Sequence, residues 1–72
     1  MIRFTDEQLL ELKTKGIEAR IECDEILREI HITFSKNNKH YKRIFTYEDY
    51  INNCFKSIIT KAMVEAEVEL NH

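Results

Sequence analysis

Lys13-Thr14-Lys15-Gly16-Ile17 is the stretch on which the reading of this chain turns. Two cations, the only glycine and then an apolar residue make a fair helix stop. A stop here gives a short first helix and a three-helix domain. Against it, no Ser, Thr, Asp or Asn comes next to start another helix. Gly16 also falls inside an apolar seam that continues past it. On a helical wheel Leu9, Leu12, Gly16, Ala19, Cys23, Ile26, Leu27, Ile30 and Phe34 share one face. Their alternating spacing of three and four residues resembles a coiled-coil seam. The sequence therefore predicts one continuous helix from about residue 6 to about residue 35. Inside it Gly16 costs on the order of 1 kcal/mol against Ala, offset by close approach to a neighbour such as Ala66.

The helix starts are better marked. Phe4-Thr5-Asp6-Glu7-Gln8-Leu9 and Phe45-Thr46-Tyr47-Glu48-Asp49-Tyr50 repeat one phrase. In each, Thr accepts a hydrogen bond from a free N–H of the first turn, and Gln8 or Asp49 reaches back to the Thr N–H. The second phrase opens a helix from about residue 47 to about residue 70, with a broad apolar face from Tyr47 to Leu70. The polar link between the helices, about residues 36–45, is short, so the helices fold back antiparallel. The fold expected is all-α: a single-domain antiparallel helical hairpin over residues 1–72. In that hairpin, facing residues have numbers summing to about 82. Lys15 then lies near Glu67, Lys13 near Glu69, Lys61 near Glu18 and Glu22, and Lys56 near Glu25 and Glu29.

Both helices carry more apolar surface than a two-helix contact covers. Leu10, Ile17, Ile21, Tyr50, Val64 and Val68 form the surplus patches. A chain of 72 residues buries only about 60% of its unfolded surface and tends to need help. Self-association into a homo-oligomeric helix bundle through these six residues is the expected remedy. Two cysteines, Cys23 and Cys54, sit on the apolar seams as small buried thiols.

Charge divides the chain. Lys36, Lys39, Lys42 and Arg43 lie close together around His40 and Tyr41, with no acid among them. Of 11 cations that leaves seven elsewhere, against 13 acids. Cations around an aromatic are able to hold a phosphate and stack a base. The plainer reading is a solvated hairpin tip that suits the negative end of a helix. Glu18, Glu22, Glu25 and Glu29 form an acidic stripe that either meets a basic partner or is the wet face of a helix. Net negative charge and the lack of a basic recognition helix argue against duplex DNA.

Chemistry finds no foothold. The chain has no Gly-rich phosphate loop, no Ser-His-Asp set, no Cys-x-x-Cys and no pair of inward Glu-x-x-His motifs. No catalytic residue, cofactor or metal is expected. A third of the residues are charged, and no apolar run nears the roughly 18 residues that span a membrane. The N-terminus lacks a signal-peptide pattern, which points to a cytoplasm, its own or a host's. Abundant Ile, Lys and Asn point to an AT-rich genome such as that of a phage or mobile element. The function expected is a small non-enzymatic regulator or inhibitor acting by protein–protein binding. The alternatives are a nucleotide-binding sponge working through the basic tip and a purely structural assembly protein.

Overall fold

Gly16 does stop the helix. A computed structural model describes residues 3–52 and 55–71, with side chains from Ser57 onward in the second stretch. Helix α1 spans Asp6–Thr14. Gly16 sits at φ 71° in the left-handed region. The Ile17 N–H donates to Leu12 O at 2.9 Å and the Gly16 N–H to Lys13 O at 3.1 Å. These two bonds make a Schellman motif, and the apolar contact that accompanies it joins buried Leu12 and Ile17. The stop signal thus outweighs the seam. The lack of a cap residue after Gly16 is no obstacle, because a strand needs none.

After Gly16 the chain forms a sheet, which overturns both the all-α hairpin and the three-helix alternative. Strands β1 (Glu18–Asp24), β2 (Glu29–Lys36) and β3 (Lys39–Thr46) form an antiparallel sheet in the order β1-β2-β3. Helices α2 (Tyr47–Asn52) and α3 (Phe55–Leu70) complete the chain. Strand β2 shows the physical cause most clearly. Ile30, Ile32 and Phe34 are almost fully buried, while His31, Thr33 and Ser35, which alternate with them, are not. That is a period of two, and β-branched residues suit it. A helix through the same residues would spread Ile30, Ile32 and Phe34 around its circumference. Asn37 and Asn38, both at positive φ, form the two-residue turn from β2 to β3, the backbone demanded by a type I′ hairpin.

Pairing fixes the faces. Ala19, Ile21 and Cys23 lie opposite Phe34, Ile32 and Ile30, which in turn face Tyr41, Arg43 and Phe45. This inner face meets the helices. From α1 it receives Leu12, with Phe4 just ahead of the helix; α3 supplies Ile58, Ile59, Ala62, Met63, Ala66 and Leu70. Phe4 packs edge-on against Phe34 with ring centroids 6.2 Å apart. Burying each large apolar side chain here contributes roughly 1.5–3 kcal/mol. The opposite face bears Glu18, Arg20 and Glu22 on β1, His31, Thr33 and Ser35 on β2, and His40, Lys42 and Ile44 on β3.

The sheet also removes the reason for a helix bundle. The broad apolar face of α3 is covered within the chain, not by a second copy. Of the six residues expected at a bundle interface, Ile17 is buried, and Ile21 and Tyr50 pack partly buried against the core. Leu10, Val64 and Val68 are exposed, on different helices. Both capped helix starts are present. Thr5 accepts from the Gln8 N–H at 3.1 Å while Gln8 Oε1 accepts from the Thr5 N–H at 2.9 Å. Thr46 and Asp49 repeat this at 3.1 and 3.0 Å. The antiparallel helical register fails, yet one of its ion pairs forms: Lys15 Nζ lies 2.6 Å from Glu67 Oε1. The end of α1 and the last turns of α3 meet in either fold. The side chain of Lys56, expected near Glu25 and Glu29, lies outside the described ones. No helix among the described residues is long and apolar enough to cross a membrane.

Candidate interaction surface

The basic segment is not one patch. As β3 it alternates, so Lys39, Tyr41 and Arg43 point to the helix side while His40 and Lys42 point to the open side. Lys36, across the turn from Lys39, donates to Asn71 Oδ1 at 3.0 Å and ties the hairpin to the end of α3. The Tyr41 hydroxyl donates to Glu65 Oε2 at 2.9 Å. Arg43 Nε lies 3.7 Å from the same carboxylate, an ion pair too long for a hydrogen bond. Its guanidinium also stands 5.1 Å from the centroid of the Phe45 ring. Burial, and then the Glu65 carboxylate, raise the Tyr41 phenol above its ordinary value. Tyr41 and Arg43, expected to stack a base and bind phosphate, are therefore engaged by an acid of α3.

A cleft of about 320 Å³ lies beside Arg43, Ile44 and Phe45, with Asp49, Ser57, Ile58 and Lys61 on its helical wall. Asp49 caps α2. Its carboxyl is held below the ordinary value by the hydrogen bond from the Thr46 N–H and then by the Thr46 hydroxyl.

The acidic residues keep together for a different reason than expected. Glu18 and Glu22 share the open sheet face because they are an even number apart on a strand. Glu29 stands on the same face of β2, and Glu25 lies in the β1–β2 turn. Glu22 pairs with Arg20 at 2.9 Å and Glu29 with His31 at 3.2 Å. No group of three His, Cys, Asp or Glu side chains among the described residues is placed to hold a metal. Cys23, expected to be buried, is exposed on β1, and Cys54 lies outside the described residues.

The feature missed in the sequence is the β1–β2 turn, Glu25-Ile26-Leu27-Arg28. Ile26 is 93% exposed and Leu27 64% exposed. Neither lies in the apolar seam expected of a helix. The turn is nonetheless well held. Asp24 Oδ1 accepts from the Ile26 N–H at 3.0 Å and from the Leu27 N–H at 2.9 Å. Arg28 adopts φ 55°, and its carbonyl accepts from the Tyr47 N–H at 3.0 Å. The Arg28 guanidinium lies 5.8 Å from the centroid of the Tyr47 ring. Partial burial, followed by the neighbouring Cys23, Glu25 and Asp24, raises the Tyr47 phenol. Two large apolar side chains are thus presented to solvent on a hydrogen-bonded tip whose charged neighbours are Asp24, Glu25, Arg28 and Glu29. The available signal was an Asp before two apolar residues, between alternating runs at 17–23 and 30–34. Comparison with protein-family models, with curated proteins and with solved structures finds no match for this chain.

Proposed function

We propose that the chain is a small non-enzymatic regulator or inhibitor that works by binding another protein, with Ile26 and Leu27 as its anchor. The observation that carries this reading is the near-complete exposure of Ile26 on a turn held by hydrogen bonds. A solvent-exposed Ile and Leu gain roughly 1.5–3 kcal/mol each when a partner buries them. A turn already ordered loses little further freedom on binding. Asp24, Glu25 and Glu29 around the tip favour a partner whose apolar pocket has a basic rim. The same acids disfavour an anionic lipid surface. Of the predicted acidic stripe, Glu25 and Glu29 belong to this site, with Glu22 farther along the open face. The nucleotide-sponge alternative draws less support, because Tyr41 and Arg43 are engaged by Glu65 and the cations divide between two faces.

The test places a photo-crosslinking amino acid at position 26 or at exposed position 10, in the cells that make the protein. The expected result is a discrete protein adduct from position 26, lost when Glu25 and Glu29 are reversed to Lys. An adduct from position 10 alone, or from neither position, refutes the reading.

A further inference from the structure

Strand β1 is an edge of the sheet whose charged residues, Glu18, Arg20, Glu22 and Asp24, carry both signs. All seven of its residues pair with β2 in unbroken register, so no bulge twists the edge away. It contains no Lys, and the chain has no proline. These are the usual devices that stop edge-to-edge pairing. Among the described residues, the backbone hydrogen bonds outside the sheet and helices include none from β1. The other edge differs. Helices α2 and α3 both flank β3, whereas α1 meets β1 near Glu18 and Ala19.

We propose that the open edge of β1 pairs antiparallel with β1 of a second copy, with Ile21 opposite itself. This pairing is independent of the hairpin-tip reading above. Two-fold symmetry and a shared helical side limit the registers to steps of two residues, since a slip of one exchanges the faces. With Ile21 at the dyad, Arg20 faces Glu22 of the partner twice, and Ala19 faces Cys23 twice. The Arg20–Glu22 pair within each of the two strands, at 2.9 Å and largely exposed, exchanges for a pair across them, two for two. Glu18 meets Asp24 only at the ends of the contact. The register one step towards Asp24 puts Glu22 opposite Glu22 and asks Arg20 to pair with Asp24, whose Oδ1 already accepts two turn N–H groups. One step the other way puts Arg20 opposite Arg20. The chosen register alone uses the whole strand and has no like charges at its centre.

The pairing joins two three-stranded sheets into one of six strands, with all helices on one side. Ile26 lies five residues from the dyad. At about 3.4 Å per residue the two hairpin tips stand roughly 35 Å apart, at opposite ends. Under the proposed function, the dimer is a bivalent binder.

Charge reversal tests the register. Arg20→Glu places Glu opposite Glu22, and Glu22→Arg places Arg opposite Arg20, so sedimentation should show each variant as a monomer where the parent is a dimer. An equimolar mixture should form a heterodimer, because every central contact then joins Glu to Arg. A merely intrastrand ion pair cannot produce that recovery. Far-UV circular dichroism confirms that each variant is folded before sedimentation. Concentration-dependent protection of β1 amides in the parent should accompany dimer formation. A parent that stays monomeric, a Glu22→Arg variant that still dimerises, or a mixture that stays monomeric overturns the proposal.

Discussion

Replacing Gly16 by Ala gives the sharpest test of the fold, because the two readings of this residue predict opposite signs. Gly16 adopts φ 71° at the end of α1. A Cβ added there meets only Lys36 Cε, at 4.0 Å, an ordinary contact. The cost is therefore conformational and not steric. Holding an L-residue in the left-handed region costs roughly 1–2 kcal/mol. Ala also restricts the unfolded chain, which returns roughly 0.4–1 kcal/mol. The net expectation is a loss of about 1 kcal/mol, or a fall in Tm of about 4–8 °C for a domain of this size. In a continuous helix the same substitution would gain on the order of 1 kcal/mol. Urea unfolding followed by far-UV circular dichroism measures the difference. Gly16→Asn should cost less than Ala, since Asn visits the left-handed region more readily. A Gly16→Ala variant as stable as the parent, or more stable, refutes the Schellman stop and the strand after it.

Three further outcomes are expected. Thr5→Ala and Thr46→Ala should each destabilise by roughly 0.5–2 kcal/mol in thermal melts, since each deletes the hydroxyl of a closed capping box. Tyr41→Phe should cost about 1–3 kcal/mol in urea unfolding, because a charged acceptor loses its donor and Glu65 Oε1 already lacks a hydrogen-bond partner among the described residues. Asp49→Asn should alter the acid limb of stability. The folded carboxyl titrates below its ordinary 3.8 because of the Thr46 N–H and then the Thr46 hydroxyl. Its stabilising contribution is thus complete above that pH and lost as pH falls through the folded value. Parallel acid titrations of parent and variant should differ by a constant amount near neutrality and converge at low pH; curves that stay parallel throughout would show that Asp49 is not the linked group.

Local chemistry was legible in the amino acids, and pairing was not. Thr5 with Gln8 and Thr46 with Asp49 mark helix starts because the bonds that close each box span only three residues. Leu12 to Ile17 likewise contains the donors, the acceptors and the left-handed residue that end α1, although the apolar seam running past Gly16 pointed to a continuous helix. For residues 17–35 the chain offered two patterns at once. Glu18, Glu22, Glu25 and Glu29 fit the wet side of a helix, and Ala19, Cys23, Ile26, Leu27 and Ile30 its apolar side. Ile30, Ile32 and Phe34 alternate as a strand does, and Asn37-Asn38 is a fair hairpin turn. Nothing local chooses between these patterns. A helix satisfies its own backbone within a few residues, whereas a strand needs a partner that the sequence does not name. The choice falls to the sheet as a whole, in which β2 joins β1 and β3 and α3 covers Ile30, Ile32 and Phe34. The candidate site depends on that choice. Only when Asp24 and Glu29 stand side by side across a hairpin do Ile26 and Leu27 leave the apolar seam and face the solvent.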